Sequence, residues 1–285
     1  MASYNTSTLT PLTQFLGAIR AWLGAFSYMR RQGLSIYHLS GPLVIAAISA
    51  AGIGLTGMLS EQIREALLSG LDAIGLDLDD LATSPEAWWT DAFLWGTSQL
   101  EWMLECGVVL VVLWLKIKLT KYLLLTLMAP IMSALAGAVR KREVGSAPPF
   151  SAGQLIRDLI RGVRTSSVLL IAELSLSLAL ALSGLLFTIF AAPLAILLSP
   201  VMLVGSWMLS AYFYGAAIFD AVYEQDGLDW RASIRRGWSE RFRLLGIGAV
   251  FSALLAVPFA GVFLAAFLGP MPCTTAAARL THSAS

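Results

Sequence analysis

Charge is scarce in this chain. Of 285 residues only 13% are charged while 57% are hydrophobic, against roughly 25% charged in an ordinary soluble domain. Such a composition excludes a free soluble domain and points to an integral membrane protein of the all-α class. Cysteine is as rare: Cys106 and Cys273 each stand in an apolar segment, with no metal-ligand or redox spacing, so a disulfide framework is not expected and both read as packing residues. Two histidines, His38 and His282, lie far apart in sequence. There is no H-E-x-x-H, no G-x-S-x-G, no Walker A loop and no G-x-G-x-x-G, so no enzyme constellation, cofactor or metal site can be named and ATP hydrolysis within the chain is not expected. The first 40 residues lack a compact apolar stretch followed by a small-residue cleavage site, so the N-terminus is expected to be retained. Nothing points to a nucleic-acid partner.

What charge there is, is segregated. From Glu61 to Glu105 there are ten acidic residues and one basic residue, Arg64. Arg20, Arg30 and Arg31 precede the first long apolar run; Arg140, Lys141, Arg142, Arg157, Arg161 and Arg164 follow the second; Arg231, Arg235, Arg236, Arg241 and Arg243 precede the last. Basic residues collect on the cytoplasmic side of membrane segments. The three basic regions, and with them both termini, are therefore expected in the cytoplasm, with the acidic segment 61–97 outside.

Two crossings must join these regions. The 19 uncharged residues Gly41–Leu59 are about enough to cross a hydrocarbon core of ~30 Å. The return crossing is expected at about 98–118, which places Lys116, Lys118 and Lys121 at its cytoplasmic end, where long stems reach water and headgroups. Beyond them the helix is expected to continue over Tyr122–Val139 as a surface or protein-packed segment. The alternative, that these lysines line an aqueous anion path, stays open for one of them at a time, because at 100° per residue the three span about 200° of the helix.

Residues 168–219 carry basic flanks on both sides and prolines at 193 and 200, which fits a helical hairpin with a proline-broken tip. Residues 244–280 are interrupted at Pro258, Gly261, Gly269, Pro270 and Pro272; arms of about 21 Å read as a second hairpin, and both hairpins are expected to enter the bilayer only part way. Backbone broken at membrane depth needs protein or water partners, which implies a bundle interior, a subunit interface or a wet cavity. Phe15, Ile19, Trp22 and Phe26 recur at helical spacing, so 15–31 reads as a helix lying on the cytoplasmic face. Glu173, alone in an apolar run, is either paired with an arginine or a functional acid.

The stretch "LTKYLLLTLMAPIMSALAGAVRKREVG" (119–145), the aromatic helix, acidic turn, Arg-rich segment and "fG…iP" helix of 205–259, and "RRQGLSIYHLSGPLV" (30–44) together resemble the CysZ-type sulfate permease family, whose eukaryotic relatives are the etoposide-induced membrane proteins. The resemblance implies two long transmembrane helices with two partly penetrating hairpins, and uptake of sulfate across the bacterial inner membrane for sulfur assimilation, by a homo-oligomer without its own ATP hydrolysis. On that resemblance the candidate anion residues are Arg30, Arg31, Gly33 and Leu34, with Lys116 and Lys118, and the backbone N–H groups of a helix beginning near Gly33 would face the ion. Where the family has arginine after the Gly-Leu pair, Ser35 and Ile36 stand here; Gly261 and Thr274-Thr275-Ala276 replace other family residues. The alternatives are that Arg30 and Arg31 bind lipid phosphate only, and that the whole chain is a non-transporting scaffold or lipid-interacting protein.

Overall fold

The computed structural model describes residues 10–44, 88–146, 152–257 and 260–282, together with positions 46, 62, 65 and 69. Among them every regular element is helical. The helices are α1 (Pro11–Arg31), a 3-10 turn (Ser35–Leu39), α2 (Trp88–Val144), α3 (Ala152–Phe190), α4 (Ala192–Gln225), α5 (Trp230–Ser239), α6 (Arg241–Leu255), α7 (Gly261–Leu268) and α8 (Pro270–His282). Among the described residues, three segments are long and apolar enough to cross a membrane: Lys121–Val144, Ile156–Thr188 and Ile196–Gln225. The chain is thus an all-α membrane protein. Apart from residues 41–44 and 46, the first expected crossing, 41–59, lies outside the described residues, as does most of the acidic segment 61–97; 98–118 is helical, within α2.

Residues 47–121 form one compact unit and the rest of the chain another. In the larger unit, α4 packs on α3 and α6, and α1 packs on α6 and α8. Small residues allow the close approaches. A Cβ on Gly248 of α6 would stand 1.7 Å from the Ala211 carbonyl oxygen of α4, and one on Gly246 would stand 2.6 Å from the Phe15 carbonyl oxygen of α1. Backbones in contact give van der Waals and Cα–H contacts that apolar bulk cannot supply where lipid is as apolar as leucine.

The hairpin at 168–219 is present, but its tip is the single residue Ala191 between α3 and α4. Pro193 falls in the first turn of α4, where its missing N–H costs nothing, and Pro200 lies inside that helix. The C-terminal region breaks where the sequence placed its glycines and prolines, after Leu255 and at Gly269. Its last arm, α8, is the most enclosed: Pro270 to Ala278 are all buried. The apolar stripe of α1 is turned toward protein rather than lying free. Trp22 Nε1 donates to the Leu268 carbonyl at 3.0 Å, and Phe26 stacks on His38 with ring centroids 5.8 Å apart, while Leu12, Leu16 and Leu23 face outward. Of the two readings of 122–139, the protein-packed one holds, since Leu125, Met128, Met132, Leu135 and Val139 are buried.

Candidate functional site

The end of α1 is closed by a Schellman motif. Gly33, at φ 67°, lets the chain reverse, so that the Leu34 N–H donates to the Met29 carbonyl at 2.8 Å and the Gly33 N–H to the Arg30 carbonyl at 3.4 Å. Leu34 is buried beneath the turn. This corrects the expectation of a helix beginning at Gly33. The residue follows a helix C-terminus, its amide and that of Leu34 are committed to the helix carbonyls, and the element after it is a 3-10 turn of five residues. What this corner can offer an anion is side chains.

Arg30 and Arg31 stand exposed in the last turn of α1. A third cation joins them that the sequence reading had counted only as an orientation signal. Arg142, from the end of α2, donates through Nη2 to the Gln32 carbonyl at 2.7 Å and through Nη1 to the Ala138 carbonyl at 3.2 Å. It ties two helix C-termini together, where positive charge offsets the negative end of the helix dipole. Beside it, Arg279 of α8 lies 3.6 Å from Glu143 and over the Tyr28 ring at 4.6 Å. Burial, with the Glu143 carboxylate second, pushes the Tyr28 hydroxyl up to about 12, so it stays a neutral donor. Exposed guanidinium groups of this kind bind tetrahedral oxyanions by charge-assisted hydrogen bonds.

Lys116 and Lys118 belong to the other unit, 47–121. The side chain of Lys116 lies outside the described residues. Lys118 is 8% exposed, with its ammonium 5.7 Å from the Trp114 ring centroid, and Lys121 is 4% exposed. Both are buried rather than extended into open solvent as the snorkelling picture had them. Glu173 is wholly buried; Tyr122 Oη donates to its Oε2 and Ser210 Oγ to its Oε1 at 2.8 Å. Two hydroxyl groups are thus among its partners. Arg161, about three helical turns earlier on α3, is committed elsewhere.

That commitment is the main polar feature sequence reasoning missed. Arg161 Nη2 donates to Asp220 Oδ1 and to Ser233 Oγ, both at 3.0 Å, and Nη1 to the Leu228 carbonyl at 2.7 Å. Glu224 lies 3.8 Å away. One guanidinium therefore joins α3, α4 and α5. Next to it, Asp226 meets Arg236 at 3.1 Å, Arg140 at 3.7 Å and His282 at 3.8 Å, and Glu240 pairs with Arg236 and Arg243. The local signals were the i,i+4 spacing of Arg236 and Glu240 and the i,i+3 spacing of Glu240 and Arg243; the other partners are too distant in sequence to leave one. Among the described residues no three His, Cys, Asp or Glu side chains are arranged to hold a metal ion. Cys273 is buried, and burial pushes its thiol up, away from the reactive thiolate.

Residues 21–265 match the model of the family described as Sulfate transporter CysZ/Etoposide-induced protein 2.4, and the chain belongs to that family. No curated protein matches it.

Proposed function

We propose that this family member is a permease for sulfate or a similar small oxyanion in the bacterial inner membrane, supplying sulfur assimilation without ATP hydrolysis of its own, and working as a homo-oligomer with both termini in the cytoplasm. The observation that carries the reading is the exposed pair Arg30 and Arg31 at the end of α1, joined by Arg142 of α2 through its hydrogen bond to the Gln32 carbonyl, in a chain of a sulfate transporter family. Arg30 and Arg31 attract and hold the anion at the cytoplasmic mouth. Gly33 and Leu34 set the turn that presents them, and Lys116 and Lys118, which belong to the other unit, stay candidate anion residues on the family resemblance.

Uptake of labelled sulfate into proteoliposomes tests this. The unmodified chain is expected to carry sulfate above empty liposomes, and Arg30→Gln with Arg31→Gln to lower the initial rate at least about tenfold, the low end of what focused charge adds to ligand encounter. Flux no greater than that of empty liposomes overturns the permease reading and leaves the membrane scaffold. Undiminished flux in the double variant removes the two arginines from the site.

A further inference from the structure

A cavity of about 170 Å³ lies in the larger unit, between α3, α4, α5 and the start of α6. Much of its wall is apolar, with Leu169, Ala172, Phe213 and Leu244 among the lining residues. The rest of the lining includes polar side chains: Asp220 and Ser233, both held by Arg161, and Thr165 and Tyr223, each with a buried hydroxyl oxygen that has no hydrogen-bond partner among the described residues. Tyr223 is 1% exposed, so water does not satisfy it from the surface. Two wall residues, Val168 and Ile234, are 40% and 46% exposed. The cavity therefore opens sideways, on helices whose outer faces are apolar.

At the mouth stands Trp230, with the guanidinium groups of Arg164 and Arg231 at 4.9 and 5.1 Å from its ring. Both arginines are exposed, and neither has a carboxylate partner among the described residues. Aromatic and basic side chains at one level, above an apolar slot, match the layering of a lipid at the membrane interface. The slot runs from 164 to 172 on α3, about 12 Å at ~1.5 Å per residue. A volume slightly above that of an engineered cavity that takes benzene, ~150 Å³, admits part of one acyl chain.

We propose that this cavity holds one acyl chain of an anionic phospholipid, with its phosphate on Arg164 and Arg231 and its ester or headgroup oxygens against Thr165 and Tyr223. Charge complementarity selects the occupant: two unpaired cations at the rim favour an anionic headgroup over a zwitterionic one. The site is separate from the Arg30 corner and does not depend on what the protein transports.

Native mass spectrometry of the full chain in detergent tests it with three probes: phosphatidylglycerol, phosphatidylcholine and glycerol 3-phosphate. One phosphatidylglycerol is expected to stay bound more tightly than phosphatidylcholine, and glycerol 3-phosphate not at all. Arg164→Gln with Arg231→Gln is expected to weaken phosphatidylglycerol about thirtyfold, at ~1 kcal/mol for each arginine near a charged membrane surface. Ala216→Phe, which fills the cavity, is expected to abolish the preference; should that variant not fold, Ala172→Leu carries the same expectation. Equal retention of phosphatidylglycerol by the wild type and the arginine variant overturns the proposal, as does undiminished binding by a folded cavity-filled variant. Glycerol 3-phosphate binding as tightly as the lipid also overturns it, in favour of a free phosphate site.

Discussion

Helix α6 and the hairpin arms α3 and α4 are built from the same apolar alphabet, and the protein treats them in opposite ways. The spanning windows of the two arms have mean hydropathy of 2.1 and 1.7, yet only 17% and 11% of them is buried within the protein. Helix α6 is buried along most of its length, from Arg243 to Ser252. What separates them is residue size. α6 carries Gly246 and Gly248, each in contact with a neighbouring backbone, and the C-terminal half of α4 is buried where its Gly215 meets Leu244 of α6, whereas elsewhere the arms present Leu182, Leu185, Phe190, Ile196 and Leu203 outward. In a bilayer, burial against protein follows close backbone approach more than apolarity.

Substitution on the two sides should break or sharpen that contrast. The largest effect is expected from Gly248→Leu, because even a Cβ at that position overlaps the Ala211 carbonyl; the chain should lose its monodisperse peak in fluorescence-detected size exclusion, and a normal peak would mean that α4 and α6 separate at little cost. Next is Arg161→Ala, which leaves Asp220 and Glu224 without their guanidinium. With a fifth of the Arg161 side chain exposed, the loss should be about 2–3 kcal/mol, below the full cost of orphaning a wholly buried charge, and is read as a lowered thermal midpoint in detergent.

A smaller effect is expected from pH. Burial holds the His282 imidazole below its ordinary 6.5, with Arg140 and Arg236 adding to the depression and Asp226 and Glu143 opposing it. The unfolded chain then binds the proton more readily than the folded one, so stability from this residue is complete above about 6.5 and declines as pH falls below that value. His282→Gln should flatten the thermal midpoint between pH 7 and 5; an unchanged slope would assign it to other groups. The least effect belongs to the lipid-facing side. Ile196→Ala, at a residue 76% exposed, should shift stability by no more than ~0.5 kcal/mol.

Much of this architecture was written locally. Long apolar runs predicted the hairpin arms that lie within Ile156–Thr188 and Ile196–Gln225, whereas Lys121–Val144, expected only to continue a crossing at about 98–118, is itself apolar enough to span; Gly261, Gly269 and Pro270 marked where the C-terminal region breaks. The hairpin was legible from its basic flanks, though not its tip, because prolines at 193 and 200 are tolerated in a first turn and in a helix whose neighbours take up the freed carbonyls. The site was legible only in part. Arg30 and Arg31 stood out by position, and Gly33 by its type, but a glycine after a basic pair serves a helix end as readily as a helix start. Arg142 reaches Gln32 across 110 residues and Arg161 reaches Ser233 across 72, and separations of that order leave no periodic trace.

The enclosure of α8 has a bearing on how the protein is made. α1 packs on α8, and Trp22 closes onto Leu268 of α7 across 246 residues, so α1 waits for helices made much later. At a synthesis rate of ~5–20 residues per second that delay is roughly 12–50 s, during which α1 must shelter its aromatic stripe by other means, with the bilayer surface the nearest refuge. A factor that slowed elongation near the end of the message would lengthen that vulnerable interval without altering a single contact in the finished molecule.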